Sequence, residues 1–265
     1  MIVSFLPTFK ADLNLFQFEP LTEKIFSSLL KAKAVIFPAT ISSELYFFVK
    51  NASIPVFPEY TLRFLYPGKI GQILLLKNLG LPYPETILVP RLCGIEETPY
   101  KRPLKIKFPL VLKGNYGNEG SEVYFVKTEK EFKEALKQVK AWERSGKFGF
   151  LLQEFIPTEF DARAVVIGEK VFVFFRKGGF KKNLAQGGEI IACPKKGLKK
   201  KVIELTQEII QKTGFNLVAI DFLFKGNEPL VSEFNFVFGR RGIGERRYQY
   251  YLKKAIKAFL NRVTS

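Results

Sequence analysis

The sequence predicts an α/β protein in which a small parallel α/β domain precedes a larger α+β region. Over about the first sixty residues, apolar and amphipathic segments alternate in the order strand, helix, strand, helix, strand, which is typical of a parallel sheet. From residue 104 onward, glycine-containing turns join pairs of apolar segments, which is typical of antiparallel hairpins. We therefore expect one domain over residues 1–65 and a second over residues 66–265.

The N-terminal unit is predicted from short apolar runs and from helical periodicity. The predicted strands span residues 2–6, 34–37 and 54–57. One helix is predicted over residues 21–30, where apolar residues recur on one face, and another through Leu45 and Val49. The unit contains no phosphate-loop glycine pattern, so we do not expect it to bind a nucleotide by itself.

The larger region begins with a helix over residues 69–79, which Gly80 and Pro82 end. A proline-rich connector with one strand, residues 86–89, follows it. Thr128 and Glu131 form a capping-box pattern at the start of another helix. The remaining strands are predicted over residues 109–113, 122–126, 150–155, 162–167, 171–176, 217–224 and 229–235, and the remaining helices over residues 200–212 and 248–260.

Composition excludes several classes of function. The chain has 265 residues, a net charge of +17 and no histidine. Nucleophilic triads with an imidazole base are therefore excluded, and two cysteines are too few for most zinc sites. The isolated Cys93 and Cys193, with no signal peptide pattern or membrane span, predict a cytoplasmic protein. The basic residues are scattered, which favours a solvated surface over a nucleic-acid interface.

The hairpin over residues 217–235 carries the most informative polar residues. Glu233 and Asn235 lie two residues apart and share a face, and a turn centred on Asn227 places Glu233 opposite Asp221. Two carboxylates and an amide oxygen at one point suit a hard divalent cation such as Mg²⁺, with Mn²⁺ as an alternative. A surface hairpin with its acidic side chains in water is the other interpretation, and the apolar neighbours argue against it.

Other segments carry weaker signals. Lys113 precedes a glycine-containing loop that could bind phosphate, although a mobile hairpin explains the loop equally well. Gln153, Glu154, Phe155 and Ile156 end a strand that could hold a planar base or could be ordinary core. Cationic and polar residues then follow within a short stretch, as a phosphoryl-transfer site requires, although surface basicity is the alternative. These residues are Asp161, Arg163, Arg176, Lys181 and Asn183.

The order of these motifs, from Lys69 to the Glu233-Phe234-Asn235 segment, resembles the ATP-grasp superfamily. It is most similar to the RimK-like glutamate ligases, and glutathione synthetase is a more distant relative. The resemblance implies an ATP-grasp fold, in which two α+β subdomains hold ATP between them, with a lid subdomain over about 105–155. It covers residues 66–247.

The resemblance also implies roles for individual residues. Lys69, Lys113, Lys181 and Asn183 match phosphate contacts, with Lys181 standing where the family has arginine. Gln153, Glu154, Phe155 and Ile156 match the adenine segment, and Asp161 matches a ribose-side contact. Asp221, Glu233 and Asn235 match magnesium ligands, and Arg163 and Arg176 match arginines that face the reacting groups.

The implied function is an ATP- and Mg²⁺-dependent carboxylate–amine ligase that forms an amide through an acyl phosphate. Its substrate would be an amino acid or an acidic peptide, with no membrane partner and an oligomeric state that the sequence leaves open. The segment after Asn235 departs from the family pattern, which leaves the acceptor open. There are two alternatives: an ATP-dependent small-molecule kinase on the same fold, and a non-catalytic protein that binds a nucleotide or nucleic acid.

Overall fold

The computed structural model describes residues 1–17, 19–96, 107–117, 122–178 and 188–264. The helices in these ranges are α1 (Glu23–Leu30), α2 (Ser43–Asn51), α3 (Thr61–Leu65), α4 (Gly68–Asn78), α5 (Cys93–Glu96), α6 (Glu129–Arg144), α7 (Leu198–Thr213) and α8 (Glu245–Thr264). The strands are β1 (Ile2–Ser4), β2 (Leu13–Asn14), β3 (Ala34–Ile36), β4 (Val56–Phe57), β5 (Thr86–Val89), β6 (Leu110–Gly114), β7 (Val123–Val126), β8 (Phe150–Glu154), β9 (Phe160–Ile167), β10 (Lys170–Lys177), β11 (Glu189–Ile191), β12 (Leu217–Lys225) and β13 (Glu228–Asn235).

The first sheet is parallel, as predicted, and has the strand order β2-β1-β3-β4. The two-residue strand β2 and the short helix α3 were not predicted from the sequence. Both are shorter than the window over which hydrophobic periodicity can be recognised. The predicted order of strands and helices in this unit is otherwise confirmed.

The second sheet is antiparallel and has the order β5-β8-β6-β7. Its apolar face packs on α6, where Leu112 and Leu152 contact Ala135 and Val139 in one cluster. The alternate residues of β6 and β8 point away from α6, because successive side chains of a strand point to opposite faces. Strand β5, which the sequence placed in a connector, pairs with β8 in this sheet.

The start of α6 confirms half of the predicted capping box. The Thr128 hydroxyl accepts a hydrogen bond from the Glu131 N–H at 3.2 Å. The Glu131 carboxylate, however, accepts from the N–H of Lys127 at 2.6 Å rather than from that of the cap residue itself.

The third sheet is antiparallel and has the order β11-β10-β9-β12-β13. Both predicted hairpins are present, and the tight turn at Gly168-Glu169 pairs Ile167 with Lys170. Helices α7 and α8 pack on it. Strand β11 was not predicted. Among the described residues, no helix combines the length and apolar character that a bilayer-spanning segment requires.

The first and third sheets share one hydrophobic core. Val35 of β3 and Val218 of β12 are fully buried in the same cluster. The connection is also polar, since the buried Tyr60 hydroxyl donates to the Leu217 carbonyl at 3.1 Å and the Glu59 N–H donates to the Asn216 side chain at 2.9 Å. Residues 1–65 therefore pack directly against the sheet that carries the predicted cation ligands.

Helix α4 lies close against the chain that precedes it. A Cβ atom at Gly71 would lie 2.3 Å from the backbone carbonyl carbon of Tyr66, which is far inside van der Waals contact. Glycine is therefore required here for close approach of two backbone segments. The same helix carries Lys69 and Gln72 toward the third sheet, so this contact also fixes the position of site residues.

We expect Gly71→Ala to destabilise the protein by about 2 kcal/mol, because overpacking against fixed backbone outweighs the better helix propensity of alanine. Urea denaturation measures the change in the free energy of unfolding. Gly94→Ala in α5 is the matched control, since a Cβ atom there meets nothing within 4 Å. Equal effects of the two substitutions would contradict the close-contact explanation.

Candidate active site

A cluster of charged side chains lies on one face of the third sheet, around Asp221. Strand β12 places Asp221 opposite Arg163 of β9 and opposite Glu233 of β13. Arg176 of β10 lies opposite Asp161 of β9. Since directly opposite residues point to the same face of a sheet, these five side chains converge.

The predicted pairing of Asp221 with Glu233 is confirmed, but a bulge produces it. The turn has two residues, Gly226 and Asn227, and pairs Lys225 with Glu228. Regular pairing outward from that turn would place Ser232 opposite Asp221. The register shifts between Asp221 and Phe222, so that Ser232 is the extra residue and Glu233 faces Asp221. Bulges commonly re-aim side chains beside functional sites.

The Asp221 carboxylate accepts four hydrogen bonds. The Arg163 guanidinium donates to both oxygens at 2.6 Å each, Arg176 donates to Oδ1 at 2.9 Å, and the Asn235 amide donates to Oδ2 at 3.0 Å. Burial by itself raises the pKa of Asp221, but Arg176 and Arg163 outweigh burial and hold the pKa below its usual value. Asp221 is therefore ionised at neutral pH.

Arg176 links two carboxylates. It is only 3% exposed, and it donates to both oxygens of Asp161 at 2.8 Å in addition to its bond with Asp221. Burial lowers the pKa of the guanidinium, but Asp221 and Asp161 reverse that effect and raise it. Asp161 thus has a cationic partner that sequence reasoning did not predict, and its proposed ribose-side contact stays a prediction.

Lys69 bridges the second and third sheets. Its ammonium group lies 3.0 Å from Glu233 Oε1 and also donates to the Gly117 carbonyl of the glycine loop. Asn115 fixes the start of α4, because its backbone carbonyl accepts from the Lys69 N–H and its side chain accepts from the Ile70 N–H, both at 2.9 Å. A buried Asn115 in this role had no recognisable sequence signal.

Lys113 points into the same space from β6. Its ammonium donates to Gln153 Oε1 at 2.7 Å, and the Gln153 amide donates to the Thr86 hydroxyl at 3.0 Å. Burial lowers the pKa of Lys113 to about 8; nearby Glu233 partly offsets this, and Lys69 adds to it. Lys69 and Lys113 therefore approach Glu233 from different elements.

The glycine loop packs around a buried carboxylate. Cβ atoms at Gly114 and Gly117 would lie 2.2 and 2.5 Å from the side chain of Glu122. Glu122 pairs with Lys147 at 2.8 Å. These two glycines are therefore required by the packing of the described part of the loop against Glu122.

The predicted adenine segment ends β8. The Glu154 side chain accepts from the Glu85 N–H at 2.9 Å and pairs with Lys225 at 2.8 Å. The Phe155 ring contacts that of Phe125, with centroids 4.5 Å apart, and Ile156 is buried. Lys181 and Asn183, the predicted phosphate segment, lie outside the described residues.

The donor types at Asp221, Glu233 and Asn235 fit a hard divalent cation, because all three supply oxygen ligands. Among the described residues, no three acidic, histidine or cysteine side chains gather around one point, so such a cation would rely on two carboxylates and one amide. The four donors on Asp221 fill its lone-pair positions. Coordination by Asp221 would therefore replace one of them.

Residues 69–256 match the family model of the RimK-like ATP-grasp domain. The chain belongs to this family. The RimK-like chain is 31% identical over 141 residues to the "Probable alpha-L-glutamate ligase 2" of Hahella chejuensis strain KCTC 2396. This match covers 51% of the chain and 44% of that relative, so less than half of the relative's length is aligned.

Solved structures confirm the predicted ATP-grasp fold. A RimK domain ATP-grasp protein from Sphaerobacter thermophilus DSM 20745 superposes with a TM-score of 0.63 at 16% identity, covering 96% of this chain and 98% of that one. D-alanine–D-alanine ligase from Bacillus anthracis complexed with ATP has a TM-score of 0.67 at 15% identity, with 95% and 86% covered. N5-carboxyaminoimidazole ribonucleotide synthetase from Thermus thermophilus has a TM-score of 0.64 at 17% identity, with 98% and 71% covered.

We expect the wild-type protein to gain stability relative to a Lys113→Met variant as the pH rises. The folded-state pKa of Lys113, about 8, lies below its unfolded value. Burial of the protonated Lys113 side chain thus lowers the free energy of unfolding, and this cost is fully present below pH 8. As the pH rises from 8 to about 10.4 the folded protein loses this proton first, and the free energy of unfolding increases by at most about 3 kcal/mol. Urea denaturation of both proteins at pH 7 and pH 10 measures the difference. A difference that does not change with pH would contradict a depressed pKa.

Proposed function

We propose that this protein is an ATP- and Mg²⁺-dependent ligase that joins a carboxylate to an amine. The observation that carries the proposal is the convergence of Lys69, Arg163 and Arg176 on the Asp221 and Glu233 carboxylates in a chain of the RimK-like ATP-grasp family. Lys113 lies near enough for both carboxylates to affect its pKa. Four cations against three carboxylates, with Asp161 included, favour the binding of an anion such as a polyphosphate. The names of the relatives, a glutamate ligase and a D-alanine–D-alanine ligase, support the reaction class.

ATP is proposed to lie between the second and third sheets. Lys69 and Lys113 would contact its phosphates, the backbone of residues 153–156 would hold adenine, and Lys181 and Asn183 would complete the phosphate site. In the same proposal, residues 1–65 form an N-terminal α/β domain that shares its core with the third sheet. Residues 66–265 form the ATP-grasp domain, and residues of about 105–155 form its lid. Strand β5 adds to that lid because it pairs with β8.

Asp221, Glu233 and Asn235 are proposed to hold Mg²⁺. When bound, the cation would neutralise phosphate charge and polarise a phosphoryl oxygen. Arg163 and Arg176 also have a structural role, because their hydrogen bonds hold the Asp221 carboxylate ionised and oriented. Release of one of these donors would open a coordination position on Asp221.

The proposed reaction has two steps. A substrate carboxylate oxygen attacks the γ-phosphorus of ATP; an O–P bond forms, the bond to ADP breaks, and an acyl phosphate results. An amine then attacks the acyl carbon, phosphate leaves, and the amine proton passes to phosphate or to a carboxylate. Arg163 and Arg176 would stabilise the charge that develops on the transferred group. No step requires histidine, which the chain lacks.

An amino acid or a short acidic peptide is the proposed substrate. Arg240 and Arg241 follow the site in sequence, and their positive charge would suit an acidic acceptor. In the structure, Arg240 pairs with Glu245 at 2.5 Å and stacks on the Tyr248 ring at 4.2 Å. Arg240 therefore already has internal partners.

We expect Glu233→Gln to reduce substrate-dependent phosphate release at least about 100-fold. The substitution removes the negative charge that pairs with Lys69 and that would also bind the cation. The assay combines ATP, Mg²⁺ and a panel of amino acids and short acidic peptides, and measures phosphate and ADP.

Glu228→Gln is the matched control, since Glu228 lies at the far end of the same strand and pairs with Lys201. It should retain wild-type turnover. Release of ADP without phosphate, accompanied by a phosphorylated product, would instead identify a kinase. Salt-sensitive nucleic-acid binding with no ATP hydrolysis would overturn the enzyme proposal.

A further inference from the structure

The bulged edge strand that carries Glu233 and Asn235 needs an external support. Among the described strands, β13 is the last of its sheet. One row of its backbone groups therefore has no described strand to pair with. Because Ser232 is an extra residue, Glu233 and Asn235 pair with β12 in a register that differs by one residue from the register that the turn sets. A shift of one residue would turn both side chains away from Asp221 and bring Phe234 to the site face.

Gln72 of α4 supplies this support. Its side-chain oxygen accepts from the Phe234 N–H at 2.8 Å, and its side-chain amide donates to the Phe234 carbonyl at 3.0 Å. The glutamine side chain thus pairs with the strand backbone as a neighbouring strand would. Phe234 lies between Glu233 and Asn235, so this pair of hydrogen bonds acts at the centre of the proposed ligand segment.

Two further contacts make this support rigid. Before the bulge, the Val231 N–H donates to the Pro82 carbonyl at 2.9 Å, so the strand is held on both sides of Ser232. Helix α4 is itself anchored, because Asn115 accepts from the Lys69 and Ile70 N–H groups at its start. Lys69 and Gln72 lie three residues apart and therefore on one face of α4, directed at Glu233 and at Phe234.

We propose that Gln72 is a positioning residue that holds the bulged strand in register, so that Glu233 and Asn235 face Asp221. This inference rests on the proposed function in assigning those side chains to Mg²⁺. Gln72 itself acts only through the strand backbone.

The test compares Gln72→Met, which keeps the length of the side chain and removes both hydrogen bonds, with Asn78→Leu. Asn78 is the matched control because its amide, on the same helix, bonds the Tyr66 hydroxyl instead. Two quantities are measured without turnover: amide hydrogen exchange at Phe234, and the Mg²⁺ concentration that gives half-maximal thermal stabilisation in the presence of a non-hydrolysable ATP analogue.

We expect Gln72→Met to speed exchange at Phe234 at least tenfold and to raise the half-maximal Mg²⁺ concentration at least tenfold. Binding of the analogue without metal should change less than twofold, and Asn78→Leu should match the wild type in every measurement. Gln72→Glu keeps the acceptor and loses the donor, so it should give an intermediate effect and serves where the methionine variant does not fold.

A wild-type Mg²⁺ response in the Gln72 variants would overturn the inference, as would an equal loss in Asn78→Leu. A failure of the ligase proposal would look different, because the wild-type protein would then release no phosphate with any substrate of the panel. In that case the half-maximal Mg²⁺ concentrations of the wild type and the Gln72 variants would still test the role of Gln72. A wild-type protein without any Mg²⁺ response would overturn both the metal assignment and this inference.

Discussion

A partly buried carboxylate on an interior strand is the constraint on which the site depends. Asp221 lies between two other strands, where an unpaired charge would be costly. Arg163 of β9 and Arg176 of β10 both donate hydrogen bonds to the Asp221 carboxylate. Arg176 also donates to the Asp161 carboxylate. The pairing therefore extends across three neighbouring strands, β10, β9 and β12, and aligns their side chains on one face. The remaining strand, β13, completes the cluster with Glu233 and Asn235.

Helix α4 connects this cluster to the second sheet. Its start is bonded to Asn115, Lys69 reaches both Gly117 and Glu233, and Gln72 pairs with β13. Gly71 permits the helix to lie against the Tyr66 backbone. One helix therefore contacts Asn115, Gly117 and Glu233. The structure thus provides a physical link between the proposed phosphate site and the proposed cation site.

The charge of the chain divides into two unequal parts. Four cations face the site, where three carboxylates nearly balance them. Most of the +17 net charge lies elsewhere, and the outward face of α8 is one example: Arg246, Arg247, Lys253, Lys254, Lys257 and Arg262 are all exposed there. The basic composition and the local charge of the site are therefore separate properties, and the net charge by itself says little about chemistry.

The sequence by itself determined the order of the principal helices and strands, the parallel N-terminal sheet, the family, and the turn at Gly168-Glu169 that places Arg176 opposite Asp161. Local periodicity, turn residues and motif order carry that information. Tertiary structure alone decided that Ser232 forms a bulge, which brings Glu233 opposite Asp221, that β5 joins the second sheet, and that Asn115, Gln72 and Thr86 support the site. These features depend on contacts between residues far apart in the chain, or on the sum of several strand pairings. Neither periodicity nor the spacing of residues within one segment could therefore identify them.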